Sequence, residues 1–160
     1  MTLFCFADVI RISAAAVLLP VISIRDVRTR QLPMWAIRLL AAASMLRLLP
    51  HLPELSIGNG AALTRVLCGM LSGGAGTFLF LLGVTRLADR LFGRETLGGG
   101  DIRLAAALGL HLGFFPAMQM LLAASLLALP EAVLRRRHGE HGFPFAPYLA
   151  AAGWVMMLLN

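Results

Sequence analysis

Charge is scarce in this sequence: 14% of its 160 residues are Asp, Glu, Lys or Arg, and none of the basic ones is lysine. A soluble domain of this size needs far more polar surface to meet water, so that class is excluded. Cysteine is scarcer still. Cys5 and Cys68 lie singly in apolar stretches with no CxxC pair, which argues against a disulfide or a zinc site and for packing roles. What the chain has instead is 59% hydrophobic residues and a mean hydropathy of +0.81. We therefore expect one domain over residues 1–160: an all-α, polytopic membrane helix bundle. Fourteen arginines set against eight acids give a net charge of +6. Most of them sit in short loops between apolar runs, where membrane orientation explains them without a nucleic-acid partner.

The apolar runs are countable. The first covers residues 3 to 24, with Asp8 and Arg11 three apart and able to pair on one helix face. It lacks a basic n-region and a clear cleavage site before Arg25, so it is expected to be retained. After the basic loop Arg25-Asp26-Val27-Arg28-Thr29-Arg30-Gln31-Leu32-Pro33, a second segment runs from Pro33 to about residue 49 and ends at Pro50. Residues 50 to 60, which carry Glu54, read as a loop. Val66 to Thr85 is 20 residues without a charge, enough to cross the bilayer, and its Ser72-Gly73-Gly74-Ala75-Gly76 centre admits a close neighbour. Arg86 to Glu95 is expected to lie at the interface as an amphipathic connection.

Leu104 to Leu129 holds 26 uncharged residues interrupted by Gly113-Phe114-Phe115-Pro116. If this stretch crosses once, Arg135, Arg136 and Arg137 fall opposite Arg25, Arg28 and Arg30. If it turns at Phe114 to Pro116, the basic loops 25–31, 86–103 and 135–137 share one face, as the positive-inside rule requires. The prediction is two segments, 101–113 and 115–134, and a last one from 143 to 159, six in all. The N-terminus then lies outside and the basic loops inside.

That topology puts Asp26 and Asp101, 75 residues apart in sequence, at the same depth. A carboxylate at the edge of hydrocarbon is costly and points to function. Two of them close together share one proton, so the ionised member can activate a water while the protonated member donates. Gly98, Gly99 and Gly100 would let a bound extended peptide approach and would permit the φ values of a tight turn. A structural reading stands beside this: Asp101 as a helix N-cap and Asp26 as a solvated acid.

The run GGGDIRLAAALGLHLG resembles the G-x-G-D-x-K/R-L-x-A-A-x-G-x-x-x-G signature of the type IV prepilin peptidases, which are GxGD membrane aspartyl proteases. DVRTRQLP is similar to that family's first aspartate stretch, and FPFAPYLAAAG to its late Gly-Pro-Phe/Tyr-Leu segment. The resemblance implies Asp26 and Asp101 as the catalytic pair and Gly98 and Gly100 as motif glycines, with Arg103, Pro33 and Pro147 as motif or substrate-approach residues. It also implies a prepilin or pseudopilin substrate with a short basic leader, cut at the cytoplasmic boundary of a bacterial inner membrane. No metal or other cofactor is implied. Met34 stands where the family has Asn, Ala146 where Gly is common, and Arg103 where Lys is usual. Larger members carry an insert with two CxxC pairs linked to N-methylation; its absence here implies cleavage without methyl transfer. Two alternatives come from other classes: a non-catalytic subunit of a pilus or secretion assembly, and a proton-coupled transporter using Asp8, Asp26 and Asp101.

His138 and His141 have HxxH spacing on a glycine-rich loop without a third ligand, and read as solvated. His111 is expected to pack inside the bundle, the alternative being that it tunes the carboxylates. Trp35, Tyr148 and Trp154 read as interfacial anchors.

Overall fold

The structure, a computed structural model, describes residues 2–29, 31–52, 60–93, 96–137 and 144–159. Within its helices, the side chains of residues 2–8 and of Arg136 and Arg137 lie outside the description. The expected Asp8–Arg11 pair and the packing of Cys5 therefore lie outside the described residues, as do Arg30, Glu54 and the loop carrying His138 and His141. The described chain forms six α-helices: α1 (Thr2–Thr29), α2 (Met34–Ser44), α3 (Ala61–Phe92), α4 (Gly99–Leu112), α5 (Phe114–Arg137) and α6 (Ala146–Leu159). A 3-10 turn (Met45–His51) follows α2, and no strand occurs among the described residues.

α3 and α5 are long and apolar enough to cross a membrane, and α6 is a shorter apolar helix. The outer surface carries large apolar side chains such as Val17, Leu79 and Leu122, each more than 60% exposed. Water would penalise such a surface and hydrocarbon does not, so the fold is an all-α membrane bundle. Cys68 belongs to this exposed surface, which corrects the packing role expected for it.

The helix at the centre is α4. Eight of its residues between Ile102 and Leu112 are buried, and only a narrow face carrying Arg103, Ala106 and Leu110 is left open. Around it pack Ala36 and Leu40 of α2, Met120 and Ala124 of α5, and Leu149 and Ala150 of α6, and Ala15, Leu19 and Ile22 of α1 complete the same core behind them. α3 meets it along one stripe, Met70, Gly73, Gly74 and Thr77, at helical spacing. The stripe is small for a reason. A Cβ on Gly73 would lie 2.2 Å from the Gly109 carbonyl oxygen, and one on Gly109 would lie 2.5 Å from that of Gly73. The two backbones touch, so dispersion and close approach hold this pair where hydrocarbon gives no hydrophobic drive.

The reversal expected from the arginines is present, one residue early. Gly113 takes φ 85°, a value L side chains rarely adopt, and α5 restarts at Phe114. Pro116 then lies in the first turn of α5, where its missing N–H costs nothing. Asp101 and Ala128 line one cavity; on a continuous helix they would be about 40 Å apart.

Three expectations are corrected. Residues 25–29 are the last turn of α1 and not a loop: nothing there breaks a helix, Thr29 Oγ1 donates to the Arg25 carbonyl at 2.9 Å, and Arg28 suits a helix C-terminus. The second segment gives way to the 3-10 turn after Ser44 because Pro50 lacks the N–H that would bond residue 46 and crowds that carbonyl. Residues 86–92 continue α3 and are not a separate interfacial element. Gly93, at φ 66°, ends that helix with its N–H on the Asp89 carbonyl at 2.9 Å.

The far end of α4 is tied by polar contacts. The carbonyl of His111 accepts from Arg47 Nη1 at 3.0 Å and from Arg11 Nη1 at 3.4 Å. His111 itself is 2% exposed, and its Nε2 donates to the Leu40 carbonyl at 2.9 Å.

Candidate active site

Asp101 enters the fold through the loop between α3 and α4. That loop is closed by Asp89, whose Oδ1 accepts from both the backbone N–H and the hydroxyl of Thr96 at 2.8 Å. Gly98 then caps α4 with extended backbone, φ −67° and ψ 141°, and its carbonyl accepts the Asp101 N–H at 3.1 Å. Asp101 is therefore the third helical residue, and its side chain caps nothing. The N-cap alternative is excluded by this register.

Neither motif glycine has a positive φ; among the described residues only Gly93 and Gly113 do. This corrects the expectation that the glycine run serves a strained turn. Space is the reason instead. A Cβ on Gly100 would stand 2.7 Å from Leu32 Cδ1, and one on Gly98 would touch Asp101 Oδ2 at 3.4 Å, whereas one on Gly99 meets nothing within 4 Å. Gly100 thus admits Leu32 of the segment that joins Asp26 to α2.

Asp26 sits near the end of α1 and is 7% exposed. It lies within electrostatic range of Asp101, so the fold brings the two carboxylates into one neighbourhood. Asp101 Oδ1 is buried and takes no hydrogen bond among the described residues. An unsatisfied buried oxygen of this kind calls for a ligand, a water or a function. Asp101 also lines a cavity of about 760 Å³ between α3 and α5, with Thr96, Gly98 and Phe145 at the same end.

Residues 13–133 match the type IV leader peptidase family. The chain belongs to this family. It is 35% identical over 121 residues to a prepilin leader peptidase/N-methyltransferase of Aeromonas hydrophila, covering 69% of this chain and 42% of that protein. A protein of the same name from Pseudomonas aeruginosa is 37% identical over 106 residues, 64% of this chain and 37% of the relative. Another, from Neisseria gonorrhoeae, is 34% identical over 70 residues, 44% and 24% respectively. The chain thus spans about two fifths or less of the length of these relatives. No solved structure matches it.

The remaining motif residues of this leader peptidase family member are placed as follows. Pro33 is buried at the N-cap of α2, and its carbonyl accepts the N–H groups of Ala36 and Ile37 at 3.0 and 3.3 Å. Arg103 is exposed and points at Met34 Sδ, 3.5 Å away, where the family pattern has Asn. Pro147 lines a separate groove against Ala15 and Ser23 of α1, while Phe145 lines the Asp101 cavity. His111 lies ten residues along α4 from Asp101, about 15 Å, and packs at the opposite end.

Sequence reasoning missed two supports at the Asp101 end. Asp89 looked like one charge of a basic connection. Its role depends on the turn at Gly93, and the only local signal was the Gly–Thr spacing that follows it. Glu131 on α5 accepts from Tyr148 Oη and from Arg135 Nε, the latter at 2.6 Å, and so joins α5 to α6. Tyr148, expected as an interfacial anchor, carries this bond, and nothing in its own helix reveals the partner.

Proposed function

We propose that this chain is an aspartic endopeptidase that removes the short basic leader from a prepilin or prepilin-like protein. The observation that carries the reading is that Asp26 and Asp101, from distant parts of the sequence, come within electrostatic range of each other, with Asp101 at one end of an apolar cavity. Asp101 Oδ1 is left buried and unbonded there among the described residues. The family membership and the names of its relatives support the substrate class.

In this mechanism the two carboxyls hold one proton between them, because two like charges so close cannot both ionise cheaply. The ionised carboxylate takes a proton from water as its oxygen adds to the scissile carbonyl carbon. The protonated partner hydrogen-bonds the carbonyl oxygen, and the C–N bond breaks as a proton passes to the leaving amine. Arg25 and Arg28 are exposed near Asp26, and Arg86, Arg90 and Arg135 lie on the helix ends α3 and α5 that share this side. Such clustering of arginine favours the cytoplasmic side of an inner membrane for the dyad.

The transporter reading has less support. It needs acids along one path, but Asp26 and Asp101 are at one end, and Asp8 is about 27 Å away along α1. The test is cleavage of a co-expressed prepilin by wild type, Asp26→Asn and Asp101→Asn at matched membrane abundance. Asn keeps the shape and removes the ionisable proton, so each variant is expected to lose cleavage at least a thousandfold. Normal cleavage by either variant would remove that residue from the mechanism.

A further inference from the structure

We propose that the groove between α3 and α5 receives the apolar helix of the substrate sideways from the bilayer, holding its junction with the leader at Asp101. This rests on the peptidase reading.

The apolar grooves among the described residues include three to compare. The one between α1 and α6, about 410 Å³, is lined by residues such as Leu19, Ala150 and Trp154, and no ionisable group lines it. A second, about 370 Å³ between α2, α3 and α4, carries Arg38 and Arg103. The third is the largest at about 760 Å³, and an acid, Asp101, stands at one end of it. A substrate with a cationic leader joined to an apolar helix needs an apolar track that terminates in negative charge. Of the three, the α3–α5 groove alone is lined by an acid, with Arg86, Arg90 and Arg135 on the helix ends beyond it, whereas the groove of Arg38 and Arg103 is lined by arginine and no acid.

Its shape also fits. The walls at Phe80, Val84, Leu122 and Leu129 are about half exposed or more, so the groove opens on the face that meets lipid, while Leu121 and Ala128 form a buried floor. From Met118 to Ala132 along α5 is about 21 Å, room for roughly fourteen residues of a neighbouring helix. Because the opening is lateral, a membrane-inserted helix can enter without leaving the bilayer.

Ser125 lines this groove, is exposed, and bonds only to its own helix at the Leu121 carbonyl, 2.8 Å away. Ser125→Trp therefore fills the track without entering the core. The full chain in proteoliposomes would be given two probes: a membrane-inserted prepilin of Aeromonas hydrophila, and a soluble peptide with the same leader and cleavage junction but no apolar helix. The expected result is a loss of at least tenfold on the prepilin with the peptide cleaved within twofold of wild type. Ala75→Trp in the Arg38–Arg103 groove should leave both within twofold. Wild-type cleavage of the prepilin by Ser125→Trp would overturn the proposal. So would equal loss on both probes, which would place the effect on the carboxylates.

A photo-crosslinking residue at position 122 or 75 of the Asp101→Asn chain separates the two readings. Crosslinks to the prepilin helix from 122 and not from 75 support the groove even if wild type cleaves nothing, an outcome that overturns the peptidase reading alone. Crosslinks from 75 and not from 122, with cleavage intact, overturn the groove alone. Neither crosslinks nor cleavage overturns both.

Discussion

Replacing Gly100 with alanine tests whether the second motif glycine exists to seat Leu32. Gly99 and Gly100 are the first two residues of α4, so alanine brings the same small gain in helix propensity at either position. Their surroundings differ. At Gly99 the new Cβ meets nothing within 4 Å; at Gly100 it would stand 2.7 Å from Leu32 Cδ1, 3.2 Å from Cβ and 3.3 Å from Cγ. Carbon atoms rest at about 3.5–4.0 Å, so the shortfall at Cδ1 is roughly 1 Å. The methyl can swing aside, but Leu32 Cβ is fixed to the backbone, and the 31–33 segment must yield by a few tenths of an ångström. Overpacking of this kind costs about 1–3 kcal/mol, here toward about 1 because the side-chain tip is flexible.

The segment that yields lies between Asp26 and α2, so the displacement falls on the pairing of the two carboxylates. A misplacement of about 1 Å costs about a hundredfold in rate, and a few tenths is expected to cost about tenfold. Prepilin cleavage by purified protein should therefore fall about tenfold in Gly100→Ala and stay within twofold in Gly99→Ala. Adding Leu32→Ala removes Cγ and Cδ1. Thermal unfolding in detergent should then show the pair coupled by about 0.5–1 kcal/mol, with part of the activity restored. Equal activity of the two single alanine variants would refute the argument, as would strict additivity with Leu32→Ala.

At the α3–α4 crossing the obstacles are backbone atoms that cannot rotate away. Gly73→Ala, whose Cβ would lie 2.2 Å from the Gly109 oxygen, is expected to lower stability by about 3 kcal/mol, while Gly69→Ala, with nothing within 4 Å, lowers it not at all; melting in detergent checks the difference. Asp89→Ala removes both bonds to Thr96 and should cost about 1–3 kcal/mol, and Thr96→Val, which keeps the backbone bond, about half as much. Hydrogen exchange at the Thr96 amide reads this directly, and unchanged exchange in Asp89→Ala would show that the loop closes without it.

Much of the site was legible before any coordinates. The uncharged runs gave the helices, because a span must be apolar whatever it packs against. The arginines gave the reversal near Gly113, because charge crosses a bilayer poorly. Asp26 and Asp101 stood out because acids are few. Boundaries were less legible: α1 and α3 each run several residues past the end of the uncharged run, at Ile24 and Thr85, since a helix stops where a breaker or cap stops it and not where charge begins.

What composition and charge determined, then, was a membrane bundle of six helices with two carboxylates at one end. Tertiary structure alone decided which helix is central, why Gly100 and not Gly99 is constrained, that Pro147 faces α1 and not the cavity, and that His111 serves the far end. The reason is physical. Hydropathy and charge are set residue by residue by the surrounding medium, whereas lipid does not discriminate one apolar helix face from another. The choice of neighbour rests on fit between small residues and on polar bonds such as Tyr148 to Glu131, whose partners lie on other helices.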